Sequence, residues 1–254
     1  MPGLLRISKD MPRALARLPQ RLFLVLMLAG SALITAASVA YFDFEALPAF
    51  MLEKLPLRFA QLWLFSLRVH VVSASLSLPL CLLLMTRTLQ RRTAWHRALG
   101  RIAGIVVLFG LVPSGVVLSF DAKGGKLVTA GFLLSAAIVA ASTWLGVKAA
   151  RQRDFAAHRR AMRHVVAQMS VAVSSRALII ALDALGFDPS VSYVIALWAP
   201  VLVSAVVAEL LSRRSSLPPS VLASPVERTP REASPFATLL RLRAVFRPLA
   251  RLGR

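Results

Sequence analysis

Apolar runs, each about as long as a bilayer is thick, alternate with short polar and basic stretches along most of the chain. A helix needs about 20 apolar residues to cross the hydrocarbon core. Six segments meet that length: Leu22–Phe42, Leu62–Met85, Ala98–Phe120, Leu127–Ala149, Val165–Leu185 and Val191–Leu211. Within each the run is continuous and lacks period-two alternation, which argues for helices over barrel strands. A helix also satisfies its own backbone inside one segment, as lipid requires. The pattern predicts an all-α integral membrane protein with six transmembrane helices over residues 22–211.

The polar stretches orient these helices. Arg6, Lys9, Arg13, Arg17 and Arg21 fill a basic arm over residues 1–21; Arg87 to Arg101 and Lys148 to Arg163 load the second-to-third and fourth-to-fifth connections. On the other side "FDFEALPAFMLEKLPLRF", "DAKGGK" and "GFDPS" nearly balance acids and bases. The positive-inside rule places both termini in the cytoplasm (N-in, C-in) of a bacterial inner, or plasma, membrane. The first segment has a basic flank and ends in "AASVA". It is longer than a signal-peptide core, so a retained helix is expected rather than a cleaved leader. Residues 212–235, rich in Pro and Ser, read as a disordered linker. Residues 236–254 put Leu239, Leu242, Val245, Phe246, Leu249 and Leu252 on one helical side and Arg243, Arg247, Arg251 and Arg254 on the other, with Pro248 as a kink. That basic amphipathic tail suits anionic inner-leaflet lipids.

Composition sharpens the exclusions. A net charge of +20 would suit nucleic acid, but 57% of residues are hydrophobic and the basic ones lie in short runs between apolar spans, so nucleic acid is not the expected partner. The one cysteine, Cys81, lies in an apolar run, which excludes a disulfide framework, a Cys-ligated zinc site and an iron–sulfur cluster. No phosphate-cradling loop, H-E-x-x-H, G-x-S-x-G or paired-carboxylate motif occurs, so the sequence names no catalytic residue.

Candidate chemistry rests on four histidines and one deep charge. "AWHRALGR" and "AAHRRAMR" share the spacing A-x-H-R-x-x-x-R, and each opens an outgoing helix, the signature of a degenerate two-helix repeat. His96, His158 and His164 fall at the cytoplasmic interface, while His70 lies about 12 Å into the second helix from the opposite face. His96 with His158 or His164 can ligate one inner haem b; His70 has no histidine at matching depth, so a two-haem path is not supported. Arg176 is midway along the fifth helix, where a charge costs roughly 2.5–3.5 kcal/mol to insert and calls for a partner. Asp183 projects from nearly the same face, too far along for a direct pair. Gly100 and Gly104 form G-x-x-x-G, a spacing for close helix approach, and Pro113 is expected to bend the third helix.

The residues "HRALGRIAGIVVLFGLVPSGVVLSFDAKGG", the helix end "TWLGVKAARQRDFAAHRRAMRH" and Arg176 resemble the bacterial membrane-protein family catalogued as domain of unknown function 2306. The likeness runs from about His70 to Leu211. It implies a multi-helix bacterial membrane protein with His70, His96, His158 and Arg176 on the family's characteristic positions, and it implies no substrate.

Three functions follow as expectations. In the first, His96 and His158 or His164 hold one haem or metal near the cytoplasmic face, and Arg176 balances an anionic cofactor group or a quinone oxygen. In the second, a small-solute or anion transporter uses Arg176 as its binding charge and His70 as a proton-sensitive element. In the third, a non-catalytic membrane scaffold uses its polar residues only to stabilise the bundle.

Overall fold

The computed structural model describes residues 18–43, 57 and 59–216. Most of the basic arm, residues 44–56 of the first connection, and the linker and amphipathic tail from residue 217 onward lie outside the described residues. Every regular element among the described residues is helical. Six helices are long and apolar enough to cross a membrane. They are α1 (Leu18–Ala37, extended by a 3₁₀ turn Val39–Phe42), α2 (Ala60–Leu84), α3 (Thr93–Ser119), α4 (Gly125–Arg151), α5 (Phe155–Ala184) and α6 (Pro189–Ser216).

Helix starts fall where local chemistry allows them. α5 begins at Phe155 rather than Val165, because the Asp154 carboxylate accepts from the backbone of Ala156 at 3.1 Å and Ala157 at 2.9 Å. The Ala- and Arg-rich stretch that follows favours helix although it is polar. The turn before it is tight, with Arg153 held at a left-handed φ of 61°. α3 likewise starts at Thr93, ahead of its apolar run. Asp188 caps α6, accepting from the backbone of Ser190 at 2.8 Å and from that residue's hydroxyl.

α4 and α5 pack along most of their length as an antiparallel hairpin. α2 lies along α3, while α1 rests on α2 and α5. The main core joins Leu78 and Leu82 of α2, Ala103 and Val107 of α3, Val139 of α4, and Val165, Val166 and Met169 of α5. A second cluster brings Leu197 and Val201 of α6 onto Val128 of α4 and Val171 of α5. At its edge the Gln168 amide is only 2% exposed. Its nitrogen donates to the Val201 carbonyl and the Ser204 hydroxyl, both at 3.0 Å, and its oxygen accepts from Ser135 at 3.0 Å. Large apolar side chains such as Phe109, Leu202, Val203, Val206 and Leu210 face outward, the arrangement of a bundle whose solvent is lipid.

The G-x-x-x-G spacing is not where helices approach most closely. A Cβ on Gly100 would meet open space, and one on Gly104 would sit in ordinary contact, 3.7 Å from Val147. The close approaches are Gly30 against Val173, Gly110 against Ser73 and Gly146 against Met162. In α3 the expected bend takes a definite form: Val106–Leu111 is a π-helical turn set just before Pro113. A proline in a regular helix clashes with the carbonyl four residues back, and a widened turn relieves that clash.

Candidate functional site

The polar side chains form two groups at different depths. The first is at the end of the bundle that carries Arg87–Arg101 and Lys148–Arg163, the basic end. His96 and His158 each occupy the fourth position of their helix, "TAWH" in α3 and "FAAH" in α5, which gives them matching depth. Gly146 brings them into play. Without a side chain it lets α5 close on α4 beside Met162 and Ala161, and its carbonyl accepts from His158 Nδ1–H at 2.9 Å. A carbonyl only accepts, so Nδ1 carries the proton and Nε2 keeps a lone pair when the ring is neutral. His96 lies within electrostatic range of His158, and its Nδ1 is buried with no hydrogen-bond partner.

His164 belongs elsewhere. Its Nε2 is 3.4 Å from Glu209 Oε2, in a cluster where Glu209 also accepts from Arg160 at 2.8 and 2.9 Å and from Arg213 at 2.9 Å. Glu209 thereby ties α5 to α6.

The second group sits around the π turn, in the half of the bundle away from the basic end. Ser114 donates its hydroxyl to the Gly110 carbonyl at 2.6 Å and approaches that of Leu111 at 3.1 Å, satisfying backbone oxygens that the π turn and Pro113 disturb. With that proton engaged, Ser114 Oγ accepts from His70 Nδ1 at 3.3 Å. Across from them on α5, Arg176 lies within electrostatic range of His70 and of Tyr193 on α6. Its Nη1 donates to the Ala172 carbonyl at 2.9 Å. That bond points one turn back toward the basic end, so the guanidinium is turned into the membrane and does not snorkel toward the nearer surface.

Of the sequence candidates, then, His164 meets Glu209, while His96 lies within electrostatic range of His158 and His70 within that of Arg176. About 27 Å of helix separates His158 from Arg176 at about 1.5 Å per residue, so Arg176 stands apart from the histidine pair. Asp183 is exposed on the last turn of α5 and forms no ion pair with Arg176. Ser114, Tyr193, Glu209 and Gln168 are the functional-site neighbours that sequence reasoning passed over. The one local signal was Ser114 beside Pro113; the others depend on contacts between distant helices.

Two surface clefts, about 250 Å³ beside Trp144, Val147, Lys148 and Arg151 and about 230 Å³ between α1 and α2, contain no histidine. Among the described residues no group of three or more His, Cys, Asp or Glu side chains gathers as a metal site. A family model described as "Predicted membrane protein (DUF2306)" matches residues 67–212, more than half of the chain. No curated protein and no solved structure matches the chain.

Proposed function

The chain belongs to the predicted membrane protein family DUF2306, and from that premise we propose that it is a cofactor-binding redox protein whose His96 and His158 hold one haem b at the basic end. The observation that carries this reading is the pairing itself. Two imidazoles sit at the fourth position of helices that share the main core, one with Nδ1–H fixed by the Gly146 carbonyl, the other with a buried, unpartnered Nδ1. A backbone bond to one ring nitrogen is the usual way a protein presents the other nitrogen to iron.

The donor set favours a macrocycle over a bare ion. Zinc takes at least three protein ligands, and no such cluster occurs among the described residues. A haem brings its four equatorial nitrogens and asks the protein only for axial ligands. When bound, haem supplies one-electron chemistry at this site. The chain's own part is to fix the His158 tautomer through Gly146, to carry His96 on the same turn of α3, and to set the exposed Arg92, Arg97, Arg101 and Arg159 close by in sequence, where their charge would favour anionic propionate groups. His164, engaged with Glu209, serves the α5–α6 junction instead. By the positive-inside rule the basic end faces the cytoplasm of a bacterial plasma membrane, with both termini on that side, where the basic arm and tail meet anionic lipids.

The test is an oxidised and reduced absorption spectrum of the detergent-purified protein, expressed with haem supplied. A Soret band that shifts on reduction, disappears in His96→Ala and His158→Ala, and persists in His164→Ala is expected. A flat spectrum from folded wild-type protein, or a band indifferent to both substitutions, overturns the reading.

A further inference from the structure

The Arg176 site stands apart from the histidine pair and asks for a ligand of its own. Its Cα lies eight residues, about 12 Å of helix, inside the Ala184 end of α5, and the Nη1 bond to Ala172 turns the guanidinium deeper still. No carboxylate of the described residues meets it. Nη1 is the guanidinium nitrogen that has a protein partner, which leaves the Nε–Nη2 edge as an open fork. The residue is exposed on the outer surface of the helix rather than sealed in the core, on a face continued by Ala172 and the 69%-exposed Ile180. His70, fixed on Ser114 at the π turn, and the half-buried Tyr193 lie within electrostatic range of the guanidinium.

An uncompensated cation at this depth is costly in lipid, and neither snorkelling nor an internal ion pair offsets it here. We propose that Arg176 is a membrane-embedded binding site for a carboxylate. The two oxygens of a carboxylate match the open Nε–Nη2 edge, the pairing that distinguishes arginine from a point charge such as lysine. The ligand is either a water-borne carboxylate or the headgroup of a fatty acid arriving sideways from the bilayer along the exposed Ala172–Ile180 face. Both present the same chemistry to the guanidinium.

The experiment is equilibrium binding of radiolabelled benzoate and radiolabelled oleate to the full-length protein in phosphatidylcholine nanodiscs. Saturable binding of about one ligand per chain is expected, weakened at least tenfold in Arg176→Gln and less in Arg176→Lys. Benzoate alone identifies the water-borne source, oleate alone the lipid-borne one, and either result supports the site. A control on wild-type protein needs no folded variant: neutral oleyl alcohol must fail to displace bound oleate, and neutral benzamide must fail to displace bound benzoate. Absence of saturable binding to either carboxylate, equal displacement by the neutral analogue, or undiminished binding in folded Arg176→Gln overturns the proposal.

Discussion

Gly110 and Gln168 show how little room single residues have in this bundle. A Cβ on Gly110 would fall onto the Ser73 hydroxyl and within 3.2 Å of the Ser73 Cβ. Gly110→Ala is expected to destabilise by about 1–3 kcal/mol, the cost of overpacking a tight contact. Adding Ser73→Gly should restore most of the loss, measured by unfolding in mixed micelles. Gln168→Ala removes three interhelical hydrogen bonds at once and should cost about 1–2 kcal/mol, since such bonds in membranes average about 0.6 kcal/mol each. If it is neutral, the Ser135–Gln168–Val201 link carries no stability. At this scale residue type was legible and partnership was not. Three basic-end histidines stood out as imidazoles among arginines, but only the close approach at Gly146 separates His158, which turns to α4, from His164, which turns to Glu209. Glu209 drew no attention in the sequence because its partner Arg160 is 49 residues away.

Helix ends and helix defects carry the element-scale information. Asp188 is a fully exposed cap at the start of α6, and hydrogen bonds from Ser190 and Val191 hold its carboxyl below the usual carboxylate range. A lowered folded-state value means that the cap stabilises the protein above the unfolded pKa of about 3.9 and loses that contribution as pH falls through the folded value. The difference in thermal midpoint between wild type and Asp188→Ala should therefore be full at neutral pH and shrink in acid; a difference that stays constant down to pH 3 would discount the cap. The apolar spans themselves were readable because hydropathy reports burial in lipid. It does not report helicity, which is why the polar opening turns of α3 and α5 were missed. A disturbance at Pro113 was legible too, whereas its π form was not: that depends on Ser114 donating to the displaced carbonyls and on His70 donating to Ser114, a contact between α2 and α3.

Over the whole molecule, a loop-charge asymmetry runs along six spans, and it predicts a topology that labelling can check. In a Cys81→Ala background, Lys123→Cys should react with an impermeant maleimide in intact cells and Arg91→Cys only after permeabilisation. The reverse pattern would invert the molecule. That six helices form a membrane bundle followed from the sequence, because lipid leaves a chain this apolar few alternatives. How they pack did not follow, since the Gly30, Gly110 and Gly146 contacts lack the G-x-x-x-G spacing that a reader looks for. The depth of Arg176 has an electrical consequence. Moving one elementary charge across the full membrane is worth about 2.3 kcal/mol per 100 mV, so an anion entering from the Ala184 end and reaching a guanidinium about 12 Å along a core of about 30 Å crosses roughly two-fifths of that drop. Occupancy of the proposed site by a water-borne anion should then change roughly fivefold per 100 mV, so that the energised state of the membrane is read out as ligand binding.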